Sequence, residues 1–212
     1  MFAENGYDMR DFNHHMSQVV DQESCSKCWS VCLTQSMQDI LRSVNLLSKD
    51  NTLSYDTFAR EATNSKDACV KAPKFRIAVQ MSIAKGFVCN FKSMRYYPSM
   101  YRKLTHIDQV KTNIINGIPP VCIIEMYEGL SFQQYKRGIF GVPEWRDTCV
   151  KKTGLKRYHS MCIIGWGTTD DQIPYWIVRN SWGRQWGMDG YAYILATFNC
   201  CGIEEDVYVI NI

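Results

Sequence analysis

Residues 28–44 read CWSVCLTQSMQDILRSV, and this stretch decides how the first half of the chain folds. Its apolar side chains recur at helical spacing, and neither proline nor glycine interrupts them. They are Val31, Cys32, Met37, Ile40, Leu41 and Val44. Because such a stripe must face other apolar groups, the pattern predicts a long, largely buried helix. Shorter helices are predicted from about Asp56, over residues 74–85 and over residues 105–116, and a glycine follows each of the last two.

After Pro119 and Pro120 the pattern changes to short apolar runs separated by glycine, proline and charged residues. The runs are VCIIEMY, SMCIIGWG, PYWIVRN, GYAYIL and VYVINI. Such runs predict strands, and helices followed by strands predict the α+β class. We expect a single domain over residues 1–212. It would have a helical lobe over about 20–116 and an antiparallel, barrel-like β lobe over 117–212, with the N-terminal segment packing across and a cleft between the lobes.

Composition excludes several kinds of partner. A net charge of +3, from 24 Lys+Arg and 21 Asp+Glu, is too weak and too scattered to predict nucleic-acid binding. No apolar run approaches the roughly 20 residues that a membrane helix needs, so no membrane span is expected. The first fifteen residues lack the apolar core of a secretory signal, and no pro-segment is visible, so such segments were either removed or never present.

The chain has ten cysteines, which we divide by their surroundings. Those inside apolar runs are predicted to be buried thiols; they are Cys32, Cys122 and Cys162. Those near turn or loop residues are the candidates for disulfides; they are Cys25, Cys69, Cys89, Cys149, Cys200 and Cys201. Disulfides indicate an oxidising compartment, although the chain has no Asn-x-Ser/Thr sequon to support passage through a secretory lumen.

Cys28 stands where the long predicted helix begins. The positive end of the helix dipole favours thiolate over thiol there, which makes the sulfur nucleophilic. Such a nucleophile also needs a base and donors for an oxyanion. Of the four histidines, His14 and His15 lie in a polar segment and His106 in the first turn of a helix, where solvated or capping roles are expected. His159 directly precedes an apolar strand predicted to line the cleft, which makes it the candidate base.

Four segments together resemble the papain family of cysteine peptidases, and most nearly its cathepsin B-like branch. The family's Q-x-S-C-x-x-C-W is matched at residues 22–29, and its base before a strand ending in G-[WY]-G is matched by His159 and residues 165–167. Its Y-W-x-x-x-N-S-W-G-x-x-W-G-x-x-G-Y is matched without a gap at residues 175–191. Residues 201–204, CGIE, look like the cathepsin B-like ending. The resemblance covers almost the whole chain and implies a papain-like two-lobed fold and a thiol-dependent endopeptidase that uses no cofactor or metal.

The resemblance assigns a chemical role to each matched residue. Cys28 would attack the scissile carbonyl, and His159 would hold it as thiolate and later protonate the leaving amine. Asn180 would orient the imidazole. The side-chain amide of Gln22 and the backbone N–H of Cys28 would form the oxyanion hole.

The remaining assignments are supporting ones. Trp182 would cover the bond between Asn180 and His159 and keep it dry, and Trp186 would pack on the leaving-group side of the substrate. The resemblance also implies a disulfide between Cys25 and Cys69. We expect a second disulfide between Cys149 and Cys201, with Cys200 as the alternative partner.

The sequence departs from the family at the substrate side. Glu23 and Ser26 replace two glycines around the nucleophile. Lys71 and Ala72 stand where the family has glycines whose backbone pairs with the extended substrate, so they are candidate substrate-binding residues that would narrow the docking strand. The segment between Cys69 and Thr105 also lacks the histidine-bearing loop by which cathepsin B trims dipeptides, so no such exopeptidase step is expected.

Asp206 aligns with the acidic residue at the floor of the second specificity pocket in cathepsin B-like enzymes. In that role it would let the pocket accept a basic residue beside apolar ones at P2, the second substrate position before the scissile bond. The alternative is a solvated carboxylate in the run of residues 204–206, since runs of charge are usually exposed.

Three alternatives to a peptidase remain open. Cys25 and Cys28 form a C-x-x-C that resembles half a zinc site or a redox pair, but no second such pair accompanies it. A papain-like fold that binds peptides or a partner without efficient turnover is the main alternative. An amidase or transglutaminase is the third, and the gapless match over residues 175–191 disfavours it.

The peptidase hypothesis carries expectations about partners and location. Peptide or protein substrates are expected, with cystatin-type or pro-segment inhibitors, and the chain is expected to be a monomer. A lysosomal, vacuolar or extracellular location follows if a pro-segment has been removed. An intracellular or viral setting follows if Met1 is the native start.

Overall fold

The helices lie where the sequence predicts them. The computed structural model describes residues 6–13, 16–69, 72–127, 131–141 and 156–212. Its α-helices are α1 (Met9–Phe12), α2 (Cys28–Ser43), α3 (Tyr55–Thr63), α4 (Phe75–Lys85) and α5 (Ile107–Ile115). The short helix α1 is the one that the sequence pattern did not indicate.

Helix α2 runs through the centre of the molecule. All of its residues except Ser43 are buried, including polar ones on the side away from the apolar stripe. Two of these polar side chains bond to loop backbone: Ser36 Oγ donates to the carbonyl of Pro119 at 2.7 Å, and Gln38 Oε1 accepts from the N–H of Leu53 at 2.8 Å. Because buried polar groups need partners, these bonds allow the helix to be buried on every side.

The strands are β1 (Gly6–Asp8), β2 (Phe87–Val88), β3 (Arg95–Tyr96), β4 (Met100–Leu104), β5 (Val121–Tyr127), β6 (Ile139–Phe140), β7 (Lys156–Thr168), β8 (Pro174–Arg179), β9 (Tyr191–Leu195) and β10 (Val207–Asn211). The main sheet has the order β4-β10-β5-β7-β8-β9-β6, with β1 paired to β7, and β2 and β3 form a separate pair. The five apolar runs after the two prolines are β5, β7, β8, β9 and β10, as predicted.

The sheet departs from the sequence prediction in three respects. Strand β4 comes from the half predicted to be helical, and its mostly exposed side chains carry little periodic signal. The pair of β6 and β9 is parallel, whereas the other pairs are antiparallel. Within the described residues the strands follow an open path from β4 to β6, so they do not form a closed barrel.

Strand β1 lies across β7, where Gly165 leaves room for it. Asp8 pairs with Gly165 and Gly6 with Gly167. A Cβ on Gly165 would overlap the carbonyl oxygen of Tyr7, and one on Gly167 would overlap the ring of Tyr175. The G-W-G motif therefore has a structural cause, since a side chain at residue 165 would collide with β1 and one at residue 167 would collide with the Tyr175 ring of β8.

One apolar cluster joins α2 to the inner faces of β5, β7 and β10. Cys32, Cys122 and Cys162 lie inside it with at most 1% of their surface exposed, as predicted. Cys89, which the sequence placed among the disulfide candidates, is instead a buried free thiol in the described part of the chain, since its side chain packs into this core. Among the described residues, no helix is both long and apolar enough to cross a bilayer.

Candidate active site

Cys28 is the first residue of α2, and only 8% of its surface is exposed. Lys27 precedes it at the N-cap position, where no side chain of a described residue caps the helix. The first-turn amide groups therefore keep their partial positive charge next to the sulfur. The helix start predicted from the apolar stripe is what puts the thiol in this position.

His159 lies in β7 between β5 and β8, and its imidazole is buried. Its Nε2 is 2.7 Å from Oδ1 of Asn180, which directly follows β8. The same oxygen accepts the backbone N–H of Ser181 at 2.7 Å. Because an amide oxygen only accepts, Nε2 carries the hydrogen and Nδ1 is left to face the thiol of Cys28.

The pKa of the Cys28 thiol lies below its ordinary value as the result of opposing effects. Burial is the largest effect and raises the pKa, because it disfavours the charged thiolate. The charge of His159 and a hydrogen bond with its side chain lower the pKa, as do the backbone N–H groups of Ser160 and Trp29. The lowering effects together are larger, so the site stabilises the thiolate.

Two tryptophans pack over the imidazole of His159: Trp182 contacts it directly, and Trp186 lies against Trp182. The ring of Trp182 stacks on that of His159, with 4.4 Å between the centroids, and Trp186 meets Trp182 edge-on at 5.2 Å. Phe132 packs against both tryptophans, at 5.9 Å and 5.1 Å. Sequence reasoning missed Phe132, because it lies outside the matched motifs. The aromatic cover leaves Asn180 only 1% exposed.

The side chain of Gln22 is held by hydrogen bonds that use only one of its two amide N–H groups. Its Nε2 donates to the carbonyl of Cys25 at 2.6 Å, and its Oε1 accepts from the hydroxyl of Ser181. Its backbone N–H also donates to the carbonyl of Ser181, at 2.8 Å. Since an amide group has two N–H bonds, one remains for a substrate oxygen. Ser181 is a second residue whose part sequence reasoning did not identify.

Glu23 has a conformation that explains why glycine is usual at this position. Its φ is +57°, in the left-handed region that side chains disfavour, and its N–H donates to Oδ1 of Asp21 at 2.7 Å. The hydrogen bond helps to hold the turn that carries Gln22 toward the nucleophile. The departure from the family motif therefore preserves the turn at the cost of local strain.

The structure contains the disulfide between Cys25 and Cys69, with 5.2 Å between their Cα atoms. It fixes Cys69 beside the loop that carries the nucleophile, and it makes Cys25 unavailable as a zinc ligand or as a redox partner of Cys28. Lys71 and Cys149 lie outside the described residues, as do His14 and His15. The proposed substrate contact of Lys71 and the proposed disulfide of Cys149 with Cys201 therefore stay predictions.

A cavity of about 510 Å³ opens beside the thiol, between the helices and the sheet. It is lined by Cys28, Trp29, Ala72, Pro73, Lys74, Phe75, Arg76, Ile123, Tyr158, Ser160, Asp206 and Tyr208. Both Ala72 and Asp206 thus lie on the same cavity as the nucleophile. Asp206 is neither deeply buried nor free, because its Oδ1 is 2.7 Å from Nζ of Lys103 and its side chain is 45% exposed.

The other described histidine, His106, does not belong to this site. His106 is exposed and precedes α5, and its side chain makes no capping hydrogen bond within the described residues. Of the two described histidines, His159 is therefore the one that contacts Cys28.

Comparisons with known proteins show the family and the fold of this chain. The family model for papain family cysteine proteases matches residues 3–211. Cathepsin B-like cysteine proteinase 1 of Ostertagia ostertagi is 33% identical over 120 residues, which are 57% of this chain and 32% of that protein. Cathepsin B-like CP3 of Giardia intestinalis is 26% identical over 235 residues, covering 97% of this chain and 73% of that protein. The solved procathepsin B S9 of Trypanosoma congolense has a TM-score of 0.80 at 20% identity, covering 100% of this chain and 79% of that one, and shares the fold.

Proposed function

We propose that this chain, which belongs to the papain family of cysteine proteases, is an endopeptidase that uses Cys28 as its nucleophile. The observation that carries the proposal is the buried chain of contacts from the Cys28 thiol to His159 and on to Asn180. A thiolate beside an imidazolium that is itself oriented by a third group is the arrangement that acyl transfer needs.

The reaction proceeds through a thioester. The Cys28 thiolate attacks the scissile carbonyl carbon, and the oxyanion that forms is bound by the spare N–H of Gln22 and the backbone N–H of Cys28. The C–N bond then breaks, and the imidazolium of His159 gives its proton to the leaving amine. His159 then takes a proton from water, which attacks the thioester; the C–S bond breaks, the acid product is released, and the thiolate of Cys28 and the imidazolium of His159 are regenerated.

Exclusion of water around the imidazole strengthens its hydrogen bond to Asn180. His159 is 3% exposed and Asn180 is 1% exposed under the ring of Trp182. A hydrogen bond is electrostatically stronger where water is excluded, so the imidazolium keeps its orientation through both proton transfers. Each oxyanion donor contributes roughly 2.7 to 4 kcal/mol in the transition state.

Internal peptide bonds are the proposed substrates. The cavity beside Cys28 accepts one substrate side chain, while Ala72 on its lining flanks the extended substrate backbone. The next histidine after Cys69 in the sequence is His106, so the stretch between them holds no histidine to bind a terminal carboxylate. Protein or peptide substrates, a monomeric state and regulation by cystatin-type or pro-segment inhibitors complete the proposal.

The Cys25–Cys69 disulfide supports a compartment that allows such bonds to persist, so we place the protein in a lysosome or vacuole or outside the cell. A second candidate function is peptide binding by the same fold without efficient turnover. It is favoured by the strained backbone of Glu23 and by Ala72 in place of a glycine.

An internally quenched peptide blocked at both termini separates these functions, since blocked ends exclude exopeptidases. The wild-type protein should cleave it and Cys28→Ala should not, whereas Cys89→Ala, which removes another buried thiol, should retain cleavage. Saturable binding of the peptide without cleavage, by protein whose Cys28 is reduced, would support the binding function instead.

A further inference from the structure

The cavity beside Cys28 has an apolar body. Trp29, Phe75, Ile123 and Tyr208 form its walls, and the rings of Phe75 and Tyr208 lie 5.5 Å apart. Tyr208 is itself only 7% exposed, which fixes this wall in place. A cavity with such walls binds the body of an apolar or aromatic side chain by removing its surface from water.

The charges around the cavity are mainly positive. Among the described residues that line it, Asp206 is the acid, whereas Lys74 and Arg76 are basic and exposed. Lys103 adds a third cation from just outside the lining, with its Nζ 2.7 Å from Oδ1 of Asp206. Glu205 is exposed and does not line the cavity.

The position of Lys103 is fixed by the sheet. Lys103 lies in β4 directly opposite Tyr208 of β10, and Tyr208 is two residues along the chain from Asp206. Its Nζ also lies 6.0 Å from the centroid of the Tyr208 ring, so an aromatic face holds the ammonium as well. Its pKa is raised by the hydrogen bond to Asp206, which keeps it charged.

We propose that Lys103 is a specificity-determining residue that makes this cavity disfavour basic substrate side chains; this proposal rests on the proposed function. By occupying one carboxylate oxygen of Asp206, it offsets the negative charge that a lysine or arginine of the substrate would need. An entering cation would then face three cations and one shared carboxylate. The cavity therefore selects peptides with an apolar or aromatic residue at P2.

The effect has a limited size, because both Lys103 and Asp206 are 45% exposed. Solvent and salt screen partly exposed charges, and the carboxylate keeps a second oxygen. Removing the Lys103 charge should therefore raise the preference for arginine over phenylalanine at P2 by roughly two- to fivefold, rather than by orders of magnitude.

The test compares two blocked dipeptidyl coumarin amides, one with phenylalanine and one with arginine at P2, both with arginine at P1. The ratio of kcat/KM for the arginine substrate to that for the phenylalanine substrate should rise in Lys103→Met and stay at the wild-type value in Lys103→Arg. In the double variant Lys103→Met with Asp206→Asn this rise in the ratio should disappear, because residue 206 then carries no negative charge to attract the substrate arginine.

Two results would overturn the role of Lys103. One is an unchanged ratio in Lys103→Met, and the other is an equal rise when Asp206→Asn is added, which would mean that the carboxylate is not involved. A wild-type protein that hydrolyses neither substrate with Cys28 reduced would instead refute the peptidase activity itself, so the two failures are distinguishable.

Discussion

Arg179 donates a hydrogen bond from Nη2 to Oδ2 of Asp39 at 2.8 Å, and both side chains are fully buried. Asp39 lies on α2, the helix that begins at Cys28, and Arg179 ends β8 next to Asn180. The backbone of Ser17 bonds to both partners, donating to Asp39 Oδ1 and accepting from Arg179 Nη1. This ion pair therefore sets the position of the nucleophile's helix relative to the strand that orients the base.

Arg179→Met should destabilise the fold by about 3 to 5 kcal/mol, because it leaves the Asp39 carboxylate buried without its cation. The free energy of unfolding in urea measures this directly. Replacing both partners, as Arg179→Met with Asp39→Leu, should recover part of the loss, since no unpaired charge remains.

The matched control is Arg184→Met. Arg184 also pairs with an aspartate, Asp189, but their side chains are 66% and 58% exposed. Its midpoint of unfolding should stay near that of the wild type. An equal loss in the two arginine variants would contradict the importance of the buried pair.

The reaction of Cys28 with iodoacetamide should reach its full rate at lower pH than that of an ordinary thiol. The thiolate fraction rises with pH through the pKa, and the pKa of Cys28 is lowered mainly by His159 against the opposing effect of burial. In His159→Ala only burial and the backbone contacts remain, so the rate profile should move to higher pH and the rate near pH 6 should fall.

His106→Ala is the control for that profile, because His106 is exposed and makes no contact with the thiol. Its pH profile should coincide with that of the wild type. If the pH profile of His159→Ala also coincided with that of the wild type, the imidazole would not be stabilising the thiolate.

Trp182→Ala should lower kcat/KM by roughly tenfold to a hundredfold, because it opens the charge-assisted bond between His159 and Asn180 to water. Trp182→Phe keeps a ring over the imidazole and should lose less. Thermal unfolding of each variant separates this loss from misfolding. Full activity in Trp182→Ala would mean that shielding of the bond is unimportant.

Peptide mapping of the unreduced protein by mass spectrometry should find Cys25 linked to Cys69 and Cys28 as a free thiol. Cys89 should react with an alkylating reagent only after unfolding, because it is 3% exposed. The expected partner of Cys149 is Cys201. A link between Cys25 and Cys28 would contradict the structure and would also block the proposed nucleophile.

Local patterns predicted most of the fold. The 3.6-residue stripe on α2 and the apolar runs of β5 and β7 to β10 consist of side chains that must be buried. Their apolar residues therefore recur at a spacing that is visible in the sequence. Strand β4 was missed because it is held by backbone pairing with β10 and has mostly exposed side chains. Likewise, the direction of the two-residue β6 depends on its neighbour β9 and not on its own residues.

The candidate site was predictable where a motif spans it, and not where chain segments distant in sequence meet. Cys28, His159 and Asn180 each belong to a matched segment. Lys103 reaches Asp206 across 103 positions, and nothing local to either residue signals the contact. Ser181 lies inside a motif, but its bond to the side chain of Gln22 depends on how the two lobes meet.

Covalent labelling tests the central claim most directly. A peptidyl epoxysuccinate or chloromethyl ketone should inactivate the protein with one equivalent bound, and the adduct should map to Cys28. The reaction should be lost in His159→Ala and kept in His106→Ala. An adduct on any other cysteine, or none while Cys28 is demonstrably reduced, would contradict the assignment of Cys28 as the nucleophile of a peptidase.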